Sequence, residues 1–210
     1  MDHLEENSYF ASPVYMVRKP EFLETVRAVS NRYLNQIGSP EIKHPFNKDL
    51  TRMTASYHAE PELVEFAQYV SQTAWNILAS QGYAMESLAT FFMEMWTQEH
   101  KYLSSMDTHV HGHGSQITAF YILDIPKDGC KFIIHDPRQT KTIVGLPEMK
   151  DEMITPASNQ IVFTLEEGIL ILTNSWLPHS FTKNFSLENT RFVHMNLGVT
   201  AAPQPSVEVI

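Results

Sequence analysis

The chain has little cysteine and no long apolar run. One cysteine, Cys130, stands among 210 residues, so no disulfide can form within the chain. Disulfides accumulate in oxidising compartments, and this composition is typical of a reducing one. No run of about 18 apolar residues occurs, as a transmembrane helix would need. Residues 1–7 are acidic, whereas a signal peptide opens with basic residues. We therefore expect a cytoplasmic protein that is not inserted in a membrane.

Basic residues are also scarce. Lysine and arginine together number 15 against 24 aspartates and glutamates, which gives a net charge of −9. A surface that follows a nucleic-acid backbone needs the opposite balance, so we expect no nucleic-acid partner. A chain of 210 residues with 43% hydrophobic residues can bury a substantial core. We predict a single domain over residues 1–210, with a helical N-terminal part (1–84), a strand-rich core (85–200) and a tail (201–210).

Two stretches of the N-terminal part have helical periodicity. Apolar residues recur at spacings of three and four over residues 20–37 and 61–81, as in amphipathic helices. Pro20 and Pro61 stand at the positions where helices prefer proline. Residues 13–17 are short and apolar, which predicts an opening strand, and the Pro-containing polar stretch 39–59 predicts a loop.

After residue 85 the pattern changes to short strands separated by turn signals. Many short strands without intervening helices favour a jelly roll over a parallel sheet. We therefore predict an α+β, mainly β fold: a double-stranded β-helix, cupin-like, with the N-terminal helices packed on one outer face. The predicted strands are 88–97, 107–111, 116–124, 131–135, 160–164, 168–173, 178–182 and 191–199.

A run of alternating histidines is the most informative motif. His109, His111 and His113 cannot be neighbours on a helix, but alternate residues of a strand point to one face. Imidazoles that share a buried face need partners, and a divalent metal that binds their neutral lone pairs would provide one. Gly112 and Gly114 leave a second interpretation open, a solvated His-rich turn.

A second chemical motif lies near the C-terminus. An apolar strand leads through Ser175-Trp176-Leu177-Pro178 to His179, and Arg191 follows twelve residues later. Because a buried guanidinium needs an anionic partner, Arg191 at the start of an apolar strand suggests a carboxylate clamp. The simpler alternative is an exposed arginine, or one that pairs with Glu188.

The order of these motifs resembles the non-haem Fe(II), 2-oxoglutarate-dependent oxygenases. The closer resemblance is to a family of small oxygenases found in bacteria and marine phages, and it covers nearly the whole chain. The motifs that carry it are Trp96, His109-Val110-His111, Phe120-Tyr121, Asp136-Pro137-Arg138, Gly168-Ile169-Leu170, Ser175-Trp176-Leu177-Pro178-His179, Asn184 and Arg191.

The resemblance implies an oxidoreductase, a dioxygenase that hydroxylates a substrate with release of succinate and carbon dioxide. Fe(II) and 2-oxoglutarate would be its cofactors, and His109, His111 and His179 would be the catalytic metal ligands. Arg191, together with Tyr121, would bind the distal carboxylate of 2-oxoglutarate.

The substrate is not identified by the resemblance and is a small molecule or a side chain. Arg138 would contact it if it is anionic; otherwise Arg138 caps a strand. A homodimer is compatible with the sequence.

The chain departs from the family pattern at the metal. His111 occupies the place of the usual aspartate or glutamate. The third ligand is therefore His111, His113 or a carboxylate such as Asp107 or Asp136. Two alternatives follow: a three-His, cupin-like metalloenzyme that does not use 2-oxoglutarate, and a non-catalytic metal-binding jelly roll.

Overall fold

Ten strands and two helices make up the structure, a computed structural model that describes residues 5, 7, 9–37, 50–143, 145–149 and 153–202. Short 3-10 turns occupy Pro20–Phe22, Pro61–Leu63 and Gln139–Ile143. The helices are α1 (Leu23–Ile37) and α2 (Val64–Ser80). The strands are β1 (Val14–Arg18), β2 (Thr51–Met53), β3 (Leu88–His100), β4 (Met106–His109), β5 (Ser115–Asp124), β6 (Phe132–His135), β7 (Gln160–Phe163), β8 (Ile169–Asn174), β9 (His179–Phe181) and β10 (Thr190–Ala201).

The strands form two antiparallel sheets. The larger has the order β1-β8-β5-β10-β3-β2, and the smaller has the order β4-β9-β6-β7. A jelly roll with helices on one outer side was predicted from the change in hydrophobic period, and this architecture confirms it. All eight predicted strands after residue 85 are present, with bounds that differ by three residues at most.

The helices cover the outer face of the larger sheet. Val26 and Val29 of α1 and Phe66 of α2 share a buried core with residues of β5 and β10, among them Tyr121 and Val193. Pro20 and Pro61 begin the 3-10 turns that lead into the two helices, as their missing N–H groups allow. Neither helix in the described ranges is long and apolar enough to cross a membrane.

A second core fills the space between the two sheets. Phe120 of β5 and Phe192 of β10 meet Phe132 and Phe181 of the smaller sheet. The Phe181 and Phe192 rings stack with their centroids 4.1 Å apart. Because strand side chains alternate between faces, Phe120 faces this interior while its neighbour Tyr121 faces the helices.

Part of the predicted loop forms a strand instead. Residues 38–49 lie outside the described residues, but Thr51–Met53 pair with Gln98–His100 of β3. Three residues are too few for a period-2 pattern, and the strand exists because β3 provides its partner. Residues 203–210 of the predicted tail also lie outside the described part of the chain, and the single-domain division remains a prediction.

The helix-side core provides a test of the fold. Phe66 is 2% exposed, and its ring centroid lies 5.0 Å from that of Tyr121. Phe66→Ala removes these contacts and leaves a cavity, so we expect it to lower the free energy of unfolding by about 3–5 kcal/mol. The matched control is Phe185→Ala, because Phe185 is 62% exposed and should cost less than about 1 kcal/mol. Urea unfolding measures both, and equal losses would contradict the packing.

A buried histidine on β3 makes stability depend on pH. His100 is fully buried beside the stacked rings of Phe192 and Phe181, and its Nδ1 lies 2.7 Å from the Ser104 hydroxyl. The Gln98 amide lies 3.1 Å from Nε2, and a neutral ring satisfies both contacts. Burial lowers the pKa of His100 from 6.5 to about 4. As the pH falls, the unfolded chain binds the proton before the folded chain does. The contribution of neutral His100 to the free energy of unfolding is therefore complete above pH 6.5 and is lost as the pH falls toward 4.

We therefore expect metal-free protein to lose stability between pH 6.5 and 4. His100 alone accounts for up to about 1.4 kcal/mol per pH unit in that window. Urea unfolding at several pH values should show a shallower slope for His100→Gln than for the unaltered chain. Parallel slopes would show that His100 is not the group that takes up the proton.

Candidate metal centre

The pairing of β4 with β9 brings two histidines together. His109 and His179 are direct partners across these strands. His111 follows two residues after the end of β4, where its backbone N–H donates to the Ser175 carbonyl at 2.8 Å. One ring nitrogen from each of the three histidines lies within 4.8 Å of the others. The structure thus brings together the three residues predicted to hold a metal.

The spacing of the rings suits coordination to one ion. His111 Nε2 and His179 Nε2 are 3.3 Å apart. The His109 ring centroid lies 4.5 Å from that of His179 and 4.9 Å from that of His111. Imidazole nitrogens bound at about 2.1 Å and at right angles on one ion are separated by roughly 3 Å. Only small side-chain movements would bring the nitrogens to these positions.

Backbone carbonyls select the tautomer of two of these rings. His109 Nδ1 lies 2.8 Å from the Asp107 carbonyl, and His179 Nδ1 lies 2.9 Å from the Leu177 carbonyl. A carbonyl only accepts, so each Nδ1 carries the proton and each Nε2 keeps a lone pair. Contacts of this kind, made by the ring nitrogen that does not bind the metal, orient histidines at metal sites.

Burial keeps the imidazoles of His179 and His111 neutral. It lowers the pKa of His179 to about 3 and the pKa of His111 to about 4, and the neighbouring histidines add to both shifts. At neutral pH these rings are therefore unprotonated, the state in which histidine binds metals. Converging lone pairs repel one another unless a cation lies between them.

The other proposed ligands lie outside this group. His113 is exposed on a turn, with a backbone φ of 55°. Asp107 contributes its carbonyl to His109 rather than its carboxylate to the group. Asp136 is paired with Arg138 and Lys141. Within the described residues, the cluster at this site consists of three histidines.

A fourth histidine, which the sequence analysis did not identify, lies beside the cluster. His194 of β10 is buried, and its Nε2 is 3.2 Å from His111 Nε2. Its ring centroid is 4.2 Å from the Trp96 ring. His194 Nδ1 and Trp96 Nε1 are both buried without a hydrogen-bond partner among the described residues. A histidine inside the apolar run of β10 was the signal that could have indicated it.

Arg191 does not face the cluster, as its predicted role as a carboxylate clamp would require. Its guanidinium pairs with Asp124 and donates to Asn31 of α1 at 2.6 Å. The inward position beside it is taken by Phe192, in the core between the sheets. The register of β10 against β5 also shifts between these two residues. Arg191 therefore connects the sheet to α1.

Tyr121 also lies on the opposite side of the sheet from the histidines, contrary to the predicted contact with the cofactor. Its hydroxyl donates to the Lys19 carbonyl at 2.6 Å, and its ring packs on Phe66. The inward neighbour is Phe120, whose ring centroid lies 5.1 Å from that of His179. Strand alternation separates Phe120 and Tyr121 onto the two faces.

Arg138 forms its own ion pair away from the cluster. It donates to the Asp136 carboxylate at 2.9 and 2.7 Å, and these contacts hold the pKa of Asp136 well below its usual range. Arg138 lines a cleft of about 500 Å³ whose lining contains none of the three cluster histidines. The structure thus separates Arg138 from the candidate metal centre.

A cleft of about 420 Å³ opens beside His111. It is lined by Met93, Glu94, Val110, His111, Gly112, His113, Ser115 and Asn196. A larger groove of about 820 Å³ between α2 and β3 contains none of the histidines. The smaller cleft therefore offers a route by which a molecule would reach the centre.

Comparison with known proteins agrees with the geometry. Residues 94–194 match the family described as "Putative 2OG-Fe(II) oxygenase". This range contains all three cluster histidines. No curated protein sequence is similar enough to count as a relative of the chain.

Solved structures share the fold at low sequence identity. The carbocyclase SnoK of nogalamycin biosynthesis, described as non-haem and alpha-ketoglutarate dependent, superposes with a TM-score of 0.65 at 11% identity, over 94% of this chain and 84% of its own. A prolyl-4-hydroxylase from Pseudomonas putida gives 0.57 at 10% identity, over 89% and 92%. HygX from Streptomyces hygroscopicus, crystallised with nickel and 2-oxoglutarate, gives 0.56 at 12% identity, over 89% and 83%.

The jelly roll, the histidine cluster and the family match therefore lead to one conclusion. Residues 94–194 match the 2-oxoglutarate- and Fe(II)-dependent oxygenase superfamily, and the jelly roll and the histidine cluster agree with that match.

Proposed function

We propose that this oxygenase hydroxylates its substrate with release of succinate and carbon dioxide, and that His109, His111 and His179 hold its iron. The observation that carries the proposal is the convergence of three imidazole nitrogens within 4.8 Å in a jelly roll of this superfamily. The substrate is a small molecule or a side chain that enters through the cleft beside His111.

The donor set fits Fe(II). Imidazole nitrogen is a common ligand of iron, and three protein ligands leave coordination positions open for a co-substrate and dioxygen. His109 and His179 already present Nε2 lone pairs, because backbone carbonyls hold their Nδ1 protons. Three neutral ligands leave the full positive charge on the metal, which favours binding of an anionic chelator. When both are bound, Fe(II) and 2-oxoglutarate supply the oxygen-activating chemistry.

Neutral N–H groups near the cluster could donate hydrogen bonds to a carboxylate. Trp96 Nε1 and His194 Nδ1 are buried and have no hydrogen-bond partner in the part of the chain that the structure describes, and the His194 ring adjoins His111. A buried N–H group without an acceptor is costly, and a carboxylate oxygen would satisfy it. We assign to Trp96 and His194 the hydrogen bonds to 2-oxoglutarate that Arg191 was predicted to make.

The aromatic core between the sheets contributes the apolar side of the site. Phe120 and Phe132 lie with their ring centroids 5.1 and 6.0 Å from that of His179. These rings exclude water from one side of the cluster. Exclusion of water strengthens the electrostatic interactions of a bound ion with its ligands.

One observation favours a second candidate function, a three-His metalloenzyme that does not use 2-oxoglutarate. Arg191 and Tyr121 face the helices, and no described lysine or arginine lines the cleft beside His111. The two candidates share the metal centre and differ in the co-substrate. Binding of 2-oxoglutarate to the metal-loaded protein distinguishes them.

The cellular setting forms part of the proposal. A reducing compartment keeps iron ferrous, and the one thiol, Cys130, is buried with its pKa raised to about 11. On this basis we propose a cytoplasmic location. The homodimer also stays a prediction, and the mass of the protein in solution tests it.

The first prediction concerns the metal. We expect His179→Ala to weaken Co(II) or Fe(II) binding by more than about 100-fold, because it removes a buried ligand whose lone pair is already oriented. Anaerobic isothermal titration measures the affinity. His58→Ala is the matched control, since His58 is exposed and lies outside the cluster, and it should bind metal normally. Unchanged affinity in His179→Ala would reject the ligand set.

The second prediction concerns the co-substrate. A keto acid chelated to Fe(II) absorbs visible light, so anaerobic titration reports binding without turnover. Trp96→Phe keeps a ring but loses the N–H donor, and we expect it to weaken 2-oxoglutarate binding by about 10- to 100-fold. Arg191→Ala should leave that affinity within about twofold.

The same Arg191→Ala variant should lower the free energy of unfolding by about 1–3 kcal/mol, because Asn31 loses its partner and Asp124 keeps only its ion pair with Arg27. A strong loss of 2-oxoglutarate affinity in Arg191→Ala, with none in Trp96→Phe, would show that the assignment of donors is wrong. Absence of the absorption band in the unaltered protein would favour the second candidate.

A further inference from the structure

The cleft beside His111 contains one acidic group. Among the described residues, its lining has one carboxylate, that of Glu94, together with the two imidazoles of His111 and His113, and includes no lysine or arginine. A molecule that reaches the candidate metal centre through this cleft therefore passes the Glu94 carboxylate.

The position of Glu94 is set by the sheet. On β3 it lies directly opposite Asn196 of β10, two residues along the strand from Trp96. The Asn196 amide group lies 3.4 Å from Glu94 Oε2, and Asn196 Oδ1 accepts from the Thr118 hydroxyl at 3.3 Å. Asn196 is buried and Glu94 is exposed. A buried amide thus holds one oxygen, Oε2, of the Glu94 carboxylate, and the carboxylate is open to the cleft on its other side.

Among the described residues of the cleft, the Glu94 carboxylate has no cationic partner when iron and 2-oxoglutarate are bound. The two charges of Fe(II) would be matched by the two of 2-oxoglutarate. The arginines that were predicted to contact ligands are already paired, Arg191 with Asp124 and Arg138 with Asp136. The charge that would complement Glu94 has to come with the bound molecule.

We propose that Glu94 is a specificity-determining residue that binds a cationic group of the substrate, an ammonium or a guanidinium. The inference rests on the proposed function, since it takes the cleft beside His111 as the route to the metal. Glu94 and His111 line the same cleft, so a substrate bound through its cation is held next to the metal centre. An anionic substrate would be repelled by the same carboxylate.

Three probes of equal length test the inference: n-pentylammonium, 1-pentanol and pentanoate. They are added to Mn(II)-loaded protein with 2-oxoglutarate, and the relaxation of their protons is measured by NMR. Mn(II) enhances relaxation only at short range, so the signal reports binding beside the metal without turnover. We expect n-pentylammonium to bind at least about 10-fold more tightly than 1-pentanol, and pentanoate to bind most weakly.

Charge variants assign this preference to Glu94. Glu94→Gln should abolish it, and Glu94→Lys should reverse it in favour of pentanoate. Both should keep the Mn(II) and 2-oxoglutarate affinities of the unaltered protein. Glu86→Gln is the matched control, because Glu86 is exposed and does not line the cleft, and it should behave like the unaltered protein.

Two failures can be told apart. In the first case Mn(II) and 2-oxoglutarate bind, but 1-pentanol or pentanoate binds as well as n-pentylammonium, or Glu94→Gln keeps the preference for n-pentylammonium. The inference about Glu94 is then wrong and the proposed function stands. If the unaltered protein fails to bind Mn(II), as electron paramagnetic resonance of the same sample would show, the proposed function fails and the inference fails with it.

Discussion

The antiparallel pairing of β4 with β9 is the constraint on which the site depends. It places His109 opposite His179, and the backbone carbonyls of Asp107 and Leu177 hold both rings in the tautomer that presents Nε2. A slip of one residue between these strands would turn one of the histidines to the other face of the sheet. The register of two short strands therefore decides whether a metal site exists at all.

The same arrangement is costly without an ion. Burial against the aromatic core keeps His179 and His111 neutral, and the Nε2 lone pairs of His109 and His179 point into the same cluster. His194 adds a fourth buried imidazole at hydrogen-bond distance from His111. A divalent ion removes the repulsion and satisfies the lone pairs. The unfavourable free energy of the cluster in the metal-free fold is therefore offset when the ion binds. We regard the candidate metal centre as a part of the fold as well as a site on it.

The sequence predicted the elements well and the orientation of some side chains poorly. Period-2 and period-3.6 patterns located the helices and the strands after residue 85, and the alternation of His109 and His111 indicated a metal site. Arg191 and Tyr121 were assigned to the wrong side of the sheet. The larger sheet is buried on both faces, so β5 is buried from Ile117 to Leu123 and apolar there except at Thr118, and its pattern cannot distinguish the interior from the helix side. His194 and Glu94 matter because β10 and β3 are neighbours, and that pairing is visible only in three dimensions.

The central claim is that one metal ion is held by three imidazoles and no protein carboxylate. Anomalous diffraction from crystals loaded with Mn(II) or Fe(II) tests it most directly, because it locates the ion independently of the surrounding atoms. The account predicts a single strong site about 2.0–2.3 Å from one nitrogen each of His109, His111 and His179. An ion bound through Asp107 or Asp136, or one found away from these histidines, would contradict it.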